Sequence, residues 1–278
     1  MSRLVQLMLS AIEMALIDTI RDTRRRLVRR GGRRIIKMVA NLMTRQSLVA
    51  DRPIHDPRDF PFVAEIEADW QKIQAELEGL LKNRAHLPAF HEISPEQQYI
   101  SRGDKWKVFI LYGFGVPSER NCARCPETAR LLRRVPRLQS AWFSILAPHY
   151  HIPKHRGVTK SLLRAHLGLV IPDQRDKCVM RVADRLVGWE PGKCLLFDDF
   201  YHHEVWNDTD QERVVLIFDF ERPMRFPGRM VNAVLLWGIK RSAFFKDAQR
   251  NLKTWDERLE QAVGRAEEMV DHPAEAVE

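Results

Sequence analysis

The spacing of hydrophobic residues changes twice along the chain. Between 62 and 83, after a proline-rich connector at 51–61, apolar positions recur at helical intervals, which is typical of an amphipathic helix. From 141 to 220 the apolar residues form short runs rich in β-branched and aromatic side chains, and from 230 to 269 the helical spacing returns. The pattern therefore predicts a mainly β domain that is flanked by helices.

Short strands separated by turn signals are expected in the central region. Strand-like runs lie at 106–114, 161–171, 178–182, 193–197 and 213–220, and a short helix that begins with proline is expected at 126–132. Turn signals separate the runs, for example Pro172-Asp173, Pro191-Gly192 and Asn207-Asp208. Strands of this length and spacing favour an antiparallel double-sheet barrel, or jelly roll, in which a site lies between the two sheets.

The positive charge of the chain is concentrated near its start. We divide the sequence into a basic amphipathic leader at 1–50, a connector and helix at 51–95, the β domain at 96–223 and a C-terminal helical region at 224–278. The chain carries a net charge of +8. Residues 1–37 contain ten Arg and Lys against three Asp and Glu, so they contribute 10 − 3 = +7.

The leader invites two interpretations. Its apolar stretch at 4–20 is interrupted by Glu13 and Asp18, so it does not predict a transmembrane helix, and the basic block follows the apolar region, unlike a secretory signal. It could lie as an amphipathic helix on the anionic inner face of a membrane, with 230–246 as a second contact, in an otherwise cytoplasmic protein. Alternatively, it packs on the β domain. Nucleic acid is not expected as a partner, because the arginines lack interleaved aromatic residues.

Two histidines predict a metal site. His155 and His203 are 203 − 155 = 48 residues apart, and an oxygen-activating ferrous centre commonly uses two histidines on neighbouring strands with a carboxylate two residues after the first. Here that position is Gly157, which cannot coordinate a metal. Either the two histidines hold the metal alone, or the site binds none. His202 competes with His203, but neighbours on a strand face opposite sides.

Two arginines are candidates for binding anions. Arg213 follows the second histidine by ten residues, which takes the chain round a turn and back along a neighbouring strand, where a guanidinium can bind a carboxylate bidentately. Arg164 lies two residues before His166, so both should share the inward face of one strand. Arg181 and His151 are expected to be ordinary surface residues.

Nine motifs between residues 106 and 223 resemble one known family. They are WKVF at Trp106, CPET at Cys125, FSIL at Phe143, HRG at His155, RAHLGLVIP at Arg164, WEPGK at Trp189, FDD at Phe197, HEVW at His203 and FDFERP at Phe218. Together they resemble the aspartyl/asparaginyl β-hydroxylase family of Fe(II)- and 2-oxoglutarate-dependent dioxygenases. The resemblance implies a cupin-like double-stranded β-helix as the core.

The resemblance also implies roles for individual residues. His155 and His203 would be the catalytic pair that holds Fe(II). Ser144, His166 and Arg213 would bind 2-oxoglutarate, and Arg164 and Trp106 would contact the substrate. The implied reaction uses dioxygen and converts 2-oxoglutarate to succinate and carbon dioxide while it hydroxylates an unactivated carbon.

Three substrate hypotheses follow from the resemblance. The first is the β-carbon of an aspartyl or asparaginyl residue in a peptide or protein, because Gly157 matches the members that modify proteins. The second is the acyl chain of a membrane lipid, of the lipid A or ornithine-lipid type, because Trp142 and Leu162 are apolar where the protein hydroxylases have basic residues. The third is a barrel that binds a carboxylate ligand without catalysis.

Overall fold

A computed structural model describes residues 37–157, 159–241 and 243–271. The helices are α1 (37–46), α2 (Pro61–Ala68), α3 (Trp70–Leu81), α4 (Phe90–Ile93), α5 (Glu119–Arg124), α6 (Pro126–Leu132), α7 (Phe226–Arg241) and α8 (Ala243–Asp271). The strands are β1 (Ile54–His55), β2 (Trp106–Gly113), β3 (Val116–Pro117), β4 (Leu138–Leu146), β5 (Tyr150–His155), β6 (Leu162–Val170), β7 (Cys178–Val182), β8 (Arg185–Gly188), β9 (Cys194–Phe197), β10 (His203–Asn207) and β11 (Arg213–Glu221).

The strands form two antiparallel sheets. The larger sheet has seven strands in the order β1-β9-β6-β11-β4-β2-β3, and the smaller has four in the order β5-β10-β7-β8. Consecutive strands cross between the sheets, as β4 to β5 and β9 to β10 do, so the two sheets form one jelly roll. The predicted double-sheet fold is confirmed.

The large sheet separates two hydrophobic layers. On β11, Val214, Leu216 and Phe218 pack against the helices, whereas Val215 and Ile217 face the small sheet. This alternation follows from the period of two in a strand. The same period on β2, β4 and β6 directs one further group of side chains to the space between the sheets, namely Trp106, Val108, Trp142, Ser144, Arg164 and His166.

Helices α2, α3 and α6 cover the outer face of the large sheet. The buried residues Ile66, Ile73, Leu77 and Leu131 join the outer hydrophobic layer. Since this layer closes the back of the sheet, the opposite face is left for the site.

The helical regions differ from their predicted bounds in two places. The single helix expected at 62–83 is two helices, because Asp69 leaves the helical conformation (φ −106°, ψ 18°) and directs its carboxylate to Lys72 and Arg130. The helical region expected from 230 begins four residues earlier, at Phe226. The leader prediction falls largely on residues 1–36, which lie outside the described residues. Among the helices of the described ranges, none is long and apolar enough to cross a bilayer.

A buried ionic cluster joins three parts of the chain. The carboxylate of Asp198, which follows β9, is fully buried and pairs with Arg222 after β11 and with Lys160 before β6, at 2.7 Å from the ammonium nitrogen. Lys160 also binds Asp51 at 2.5 Å, and Arg222 donates to the carbonyl of Lys160 at 2.9 Å. These contacts hold together the ends of the strands that flank the space between the sheets.

We predict that Asp198→Ala strongly destabilises the fold. Removal of the carboxylate leaves the Arg222 charge buried without its partner, which costs about 3–5 kcal/mol of the free energy of unfolding. Urea denaturation followed by circular dichroism measures this loss. Arg58→Ala, which breaks only the exposed pair with Asp56, is the control and should leave the midpoint nearly unchanged. Equal midpoints for the two variants would contradict the assigned importance of the cluster.

Candidate active site

His155 and His203 lie side by side between the sheets. His155 is the last residue of β5 and His203 the first of β10, and the antiparallel register pairs them directly. Their ring centroids are 4.2 Å apart and the ring planes meet at 60°. His203 is buried, whereas His202, which precedes β10, is exposed, so the structure places beside His155 the histidine that the sequence favours.

Each imidazole is oriented by a backbone carbonyl two residues before it. The Nδ1 of His155 lies 2.8 Å from the oxygen of Pro153, and the Nδ1 of His203 lies 3.0 Å from the oxygen of Tyr201. Because a carbonyl oxygen only accepts, each Nδ1 carries the hydrogen and each Nε2 presents a lone pair. Burial lowers the pKa of both histidines to about 4, so both are neutral near pH 7, the form that binds metals.

The carboxylate of Asp199 occupies the space beside Gly157. Gly157 lies beyond the end of β5, and its N–H donates to the backbone oxygen of Asp199 at 2.7 Å. A Cβ at position 157 would lie only 1.9 Å from Oδ2 of Asp199. The other oxygen, Oδ1, lies 3.4 Å from Nε2 of His203. A carboxylate therefore stands beside the histidine pair although the residue two after His155 is glycine.

The donor set fits a ferrous ion with open positions. In the described part of the chain, no group of three or more His, Cys, Asp and Glu side chains is arranged to hold a metal. Two neutral imidazoles with free Nε2 atoms remain, and imidazole nitrogen is a suitable ligand for iron. So few protein ligands would leave coordination positions for small molecules.

Arg164 is bound by two carboxylates. Its Nε and Nη2 donate to the two oxygens of Asp219 at 2.7 and 2.9 Å, and its Nη1 lies 2.6 Å from Asp199. Its guanidinium carbon lies 5.2 Å from the ring centroid of Trp142. Burial opposes the charge, yet the two carboxylates hold the pKa of Arg164 above its usual value. The predicted substrate-binding arginine is thus fully occupied by neighbours in its own chain.

Arg213 is buried and has no acidic partner among the described residues. It is 1% exposed, its Nε has no hydrogen-bond partner, and its Nη1 reaches only Ser144, at 3.4 Å from Oγ. Its guanidinium carbon lies 4.9 Å from the ring centroid of Trp189. Burial lowers the pKa of Arg213 to about 10. An uncompensated buried charge is costly, so this site is suited to an anionic ligand.

His166 directs an unpaired N–H into the same space. The indole N–H of Trp189 can only donate, so the Nδ1 of His166, 3.3 Å away, is the acceptor and Nε2 carries the hydrogen. That Nε2 is buried without a partner. Burial, reinforced by the charges of Arg164 and Arg213, lowers the pKa of His166 well below its usual value, so the ring is neutral.

Trp106 lies behind the candidate co-substrate residues. Its indole N–H donates to Oγ of Ser144 at 3.0 Å, and its ring stacks on Phe90 with centroids 4.2 Å apart. The structure thus groups it with Ser144 and Arg213 as a support for the hydroxyl. Arg181, expected at the surface, pairs there with Glu204.

Comparison with known proteins identifies the family. The profile described as aspartyl/asparaginyl beta-hydroxylase matches residues 67–223, more than half of the chain. The chain belongs to this family. It is 41% identical to the ornithine lipid ester-linked acyl 2-hydroxylase of Rhizobium tropici, over 81% of this chain and 80% of that protein. It is 34% identical to the human aspartyl/asparaginyl beta-hydroxylase over 59% of this chain, which spans only 22% of the human protein's length.

Two solved structures resemble parts of this chain. One is a prolyl-4-hydroxylase from Pseudomonas putida, with 16% identity, a TM-score of 0.35 and coverage of 59% of this chain and all of that one. A 2OG-Fe(II) oxygenase family protein from Burkholderia pseudomallei has 14% identity and a TM-score of 0.35, over 43% of this chain and 66% of that one. As a member of the aspartyl/asparaginyl β-hydroxylase family, this chain is a hydroxylase.

Three site residues of this family member escaped the sequence analysis. Asp199 and Asp219 lie within the FDD and FDFERP motifs, but nothing in the sequence alone reveals that both reach Arg164. Trp189, in the WEPGK motif, contacts both His166 and Arg213. For Asp199 a local signal existed, since it lies four residues before His203.

We predict that Gly157→Ala weakens metal binding. The added methyl group would displace the Asp199 carboxylate from its place beside His203, and loss of a group that orients a metal site typically lowers affinity about 10–100-fold. Anaerobic titration with Fe(II) or Mn(II) measures the change. Gly188→Ala on β8 is the control, because its Cβ would meet nothing closer than 3.9 Å. An unchanged metal affinity in Gly157→Ala would contradict the close approach of the Asp199 carboxylate to position 157.

Proposed function

We propose that this protein is an Fe(II)- and 2-oxoglutarate-dependent hydroxylase that acts on the acyl chain of a membrane lipid. The observation that carries the proposal is a pair of neutral histidines, with ring centroids 4.2 Å apart, together with the buried Arg213, which has no acidic partner in the described ranges. A metal ligand pair and an anion site between the same two sheets are what such a reaction requires.

In this proposal, His155 and His203 hold Fe(II) through their Nε2 atoms. The bound iron would supply the redox chemistry, in which dioxygen oxidises the 2-oxo acid and an unactivated carbon of the substrate. The hydrogen bonds to the carbonyls of Pro153 and Tyr201 keep both rings in the ligating tautomer. Asp199 adds negative charge next to the pair.

The co-substrate would be held by the residues with unsatisfied donors. Arg213 offers a guanidinium for a carboxylate, Ser144 a hydroxyl beside it, and His166 an N–H. A carboxylate of 2-oxoglutarate would offset the buried charge of Arg213 and remove a cost that the empty protein bears. This explains how a site can keep a fully buried arginine without an acid of its own nearby.

The pairing of Arg164 favours a substrate without an acidic group. Asp199 and Asp219 already offset its charge, so a substrate carboxylate would have to displace one of them. Trp142, stacked on Arg164, adds an apolar wall where the resemblance places a basic residue in protein hydroxylases. The 41% identity to the Rhizobium tropici ornithine lipid acyl hydroxylase supports the same substrate class.

An aspartyl or asparaginyl side chain is the second candidate. It is supported by the 34% identity to the human β-hydroxylase, but that match covers a small part of the human protein, and Arg164, the candidate substrate-binding arginine, is already paired with Asp219. The lipid hypothesis, which was the alternative in the sequence analysis, is therefore the better supported of the two.

We predict that Arg213→Met strongly weakens co-substrate binding without loss of stability. Methionine removes a buried charge that the described residues do not neutralise, so the free energy of unfolding of the ligand-free protein should stay the same or rise. The dissociation constant for 2-oxoglutarate, measured by calorimetry with Mn(II) present, should rise on the order of a hundredfold. A destabilised variant that still binds 2-oxoglutarate would contradict the assigned role.

We predict that the purified protein hydroxylates an ornithine lipid and not an aspartate-containing peptide. With Fe(II), 2-oxoglutarate and mixed micelles of the lipid, succinate should form together with a lipid that has gained one oxygen atom, detected by mass spectrometry. His203→Ala should stop both reactions because it removes a ligand, whereas His202→Ala, the exposed neighbour, should not. Hydroxylation of the peptide alone would reverse the substrate assignment, and no succinate with any substrate would refute catalysis.

A further inference from the structure

Helix α7 presents an apolar stripe that packs against nothing in the described structure. The stripe consists of Phe226, Met230, Val234 and Trp237, whose exposed fractions are 66, 54, 66 and 56%. Their spacings of four, four and three residues place them within roughly 80° of the helix circumference at 3.6 residues per turn. Clustered exposed apolar side chains of this kind mark an interaction surface.

The opposite side of α7 is attached to the domain. Asn232 is buried and donates to Oε2 of Glu221 at 2.9 Å, and Leu236 is 5% exposed. Gly228 packs so closely on α1 that a Cβ there would lie 2.5 Å from Cβ of Gln46. These contacts prevent α7 from rotating, so the stripe stays directed away from the domain.

Cations border the stripe at both ends. Helix α7 contains Arg229, Lys240 and Arg241 and no acidic residue, and Arg225 directly precedes it. The guanidinium carbon of Arg241 lies 4.1 Å from the ring centroid of Trp237, and that of Arg229 lies 5.9 Å from the ring of Phe226. An apolar face bordered by arginines and aromatic rings is typical of helices that lie in a bilayer interface.

We infer that α7 docks in the plane of an anionic lipid bilayer. The apolar stripe inserts between the headgroups, and the flanking arginines bind lipid phosphates at the level of the surface. Helix α1, which contacts α7 at Gly228, also exposes apolar side chains, since Met38 and Leu42 are 65 and 37% exposed.

The positive charge of α7 favours an anionic bilayer over a second copy of the chain as the partner of the stripe. A second copy docked through α7 would bring two helices with only positive charges together. Anionic phospholipid removes this repulsion, because its phosphates bind the arginines of α7.

The docking helix is connected to the candidate site. Arg222, four residues before α7, pairs with Asp198, and the next residue, Asp199, lies beside His203 and Arg164. The ion pair therefore sets the position of α7 relative to the histidine pair. The idea that this position helps to deliver an acyl chain to the site rests on the proposed function. The docking itself is inferred from the residues of α7 alone.

Vesicle flotation of the full chain tests the docking surface. The wild-type protein should float with vesicles of phosphatidylcholine and phosphatidylglycerol, and far less with phosphatidylcholine alone. Val234→Glu, which places an acid in the stripe, should lower partition about tenfold or more because a charge must enter the interface. Leu186→Glu is the matched control, since Leu186 is 64% exposed but lies on β8, and it should float like the wild type.

Three results distinguish a bilayer from a second copy of the chain, and the docking proposal from the proposed function. Equal flotation of Val234→Glu and the wild type would overturn the docking surface. A change from dimer to monomer in light scattering, with flotation unchanged, would assign the stripe to a second copy and overturn it as well. Succinate formation from 2-oxoglutarate in detergent should be equal in Val234→Glu and the wild type, so loss of flotation with retained turnover supports docking independently of the substrate.

Discussion

The adjacent carboxylates of Asp198 and Asp199 join the scaffold of the barrel to its candidate site. Asp198 is buried among Arg222 and Lys160, which come from the ends of other strands, whereas Asp199 faces His203, Arg164 and the space beside Gly157. A shift in the ionic cluster would therefore move the carboxylate next to the histidines. The position of the candidate metal ligands relative to the large sheet depends on this pair of neighbours.

The two inward arginines differ in how their charges are balanced. Arg164 is bound by two carboxylates of the chain, whereas Arg213 contacts Ser144 and the face of Trp189 and has no acidic partner within the described ranges. Both lie on the large sheet, so the difference arises from their neighbours and not from their depth. The space between the sheets therefore offers an acid one unpaired cation, at Arg213, whereas the charge of Arg164 is already offset. This asymmetry suits an acidic co-substrate together with an apolar substrate.

Local patterns predicted most of the fold, whereas the charges of the site could not be predicted. The strand at 178–182 and the helix at 126–132 have the predicted bounds, because hydrophobic runs and an initial proline are local signals. The proximity of His155 and His203 could be predicted from the family motifs and from the alternation of side chains along a strand. The contact between Arg164 and Asp219 joins residues 55 positions apart across paired strands, and no sequence pattern reports it. The break at Asp69 was missed for a similar reason, since its carboxylate binds Arg130 of another helix.

The need for glycine at position 157 is explained by its immediate neighbours and does not depend on the substrate. In the sequence, its place two residues after His155 suggests a protein-modifying enzyme. In the structure, any side chain there would collide with Asp199, so glycine is needed wherever that carboxylate stands beside the histidine pair. Substrate class must then be decided by groups further from the candidate metal ligands. The occupied guanidinium of Arg164, the indole of Trp142 and the exposed stripe of α7 all favour an apolar molecule at a membrane surface.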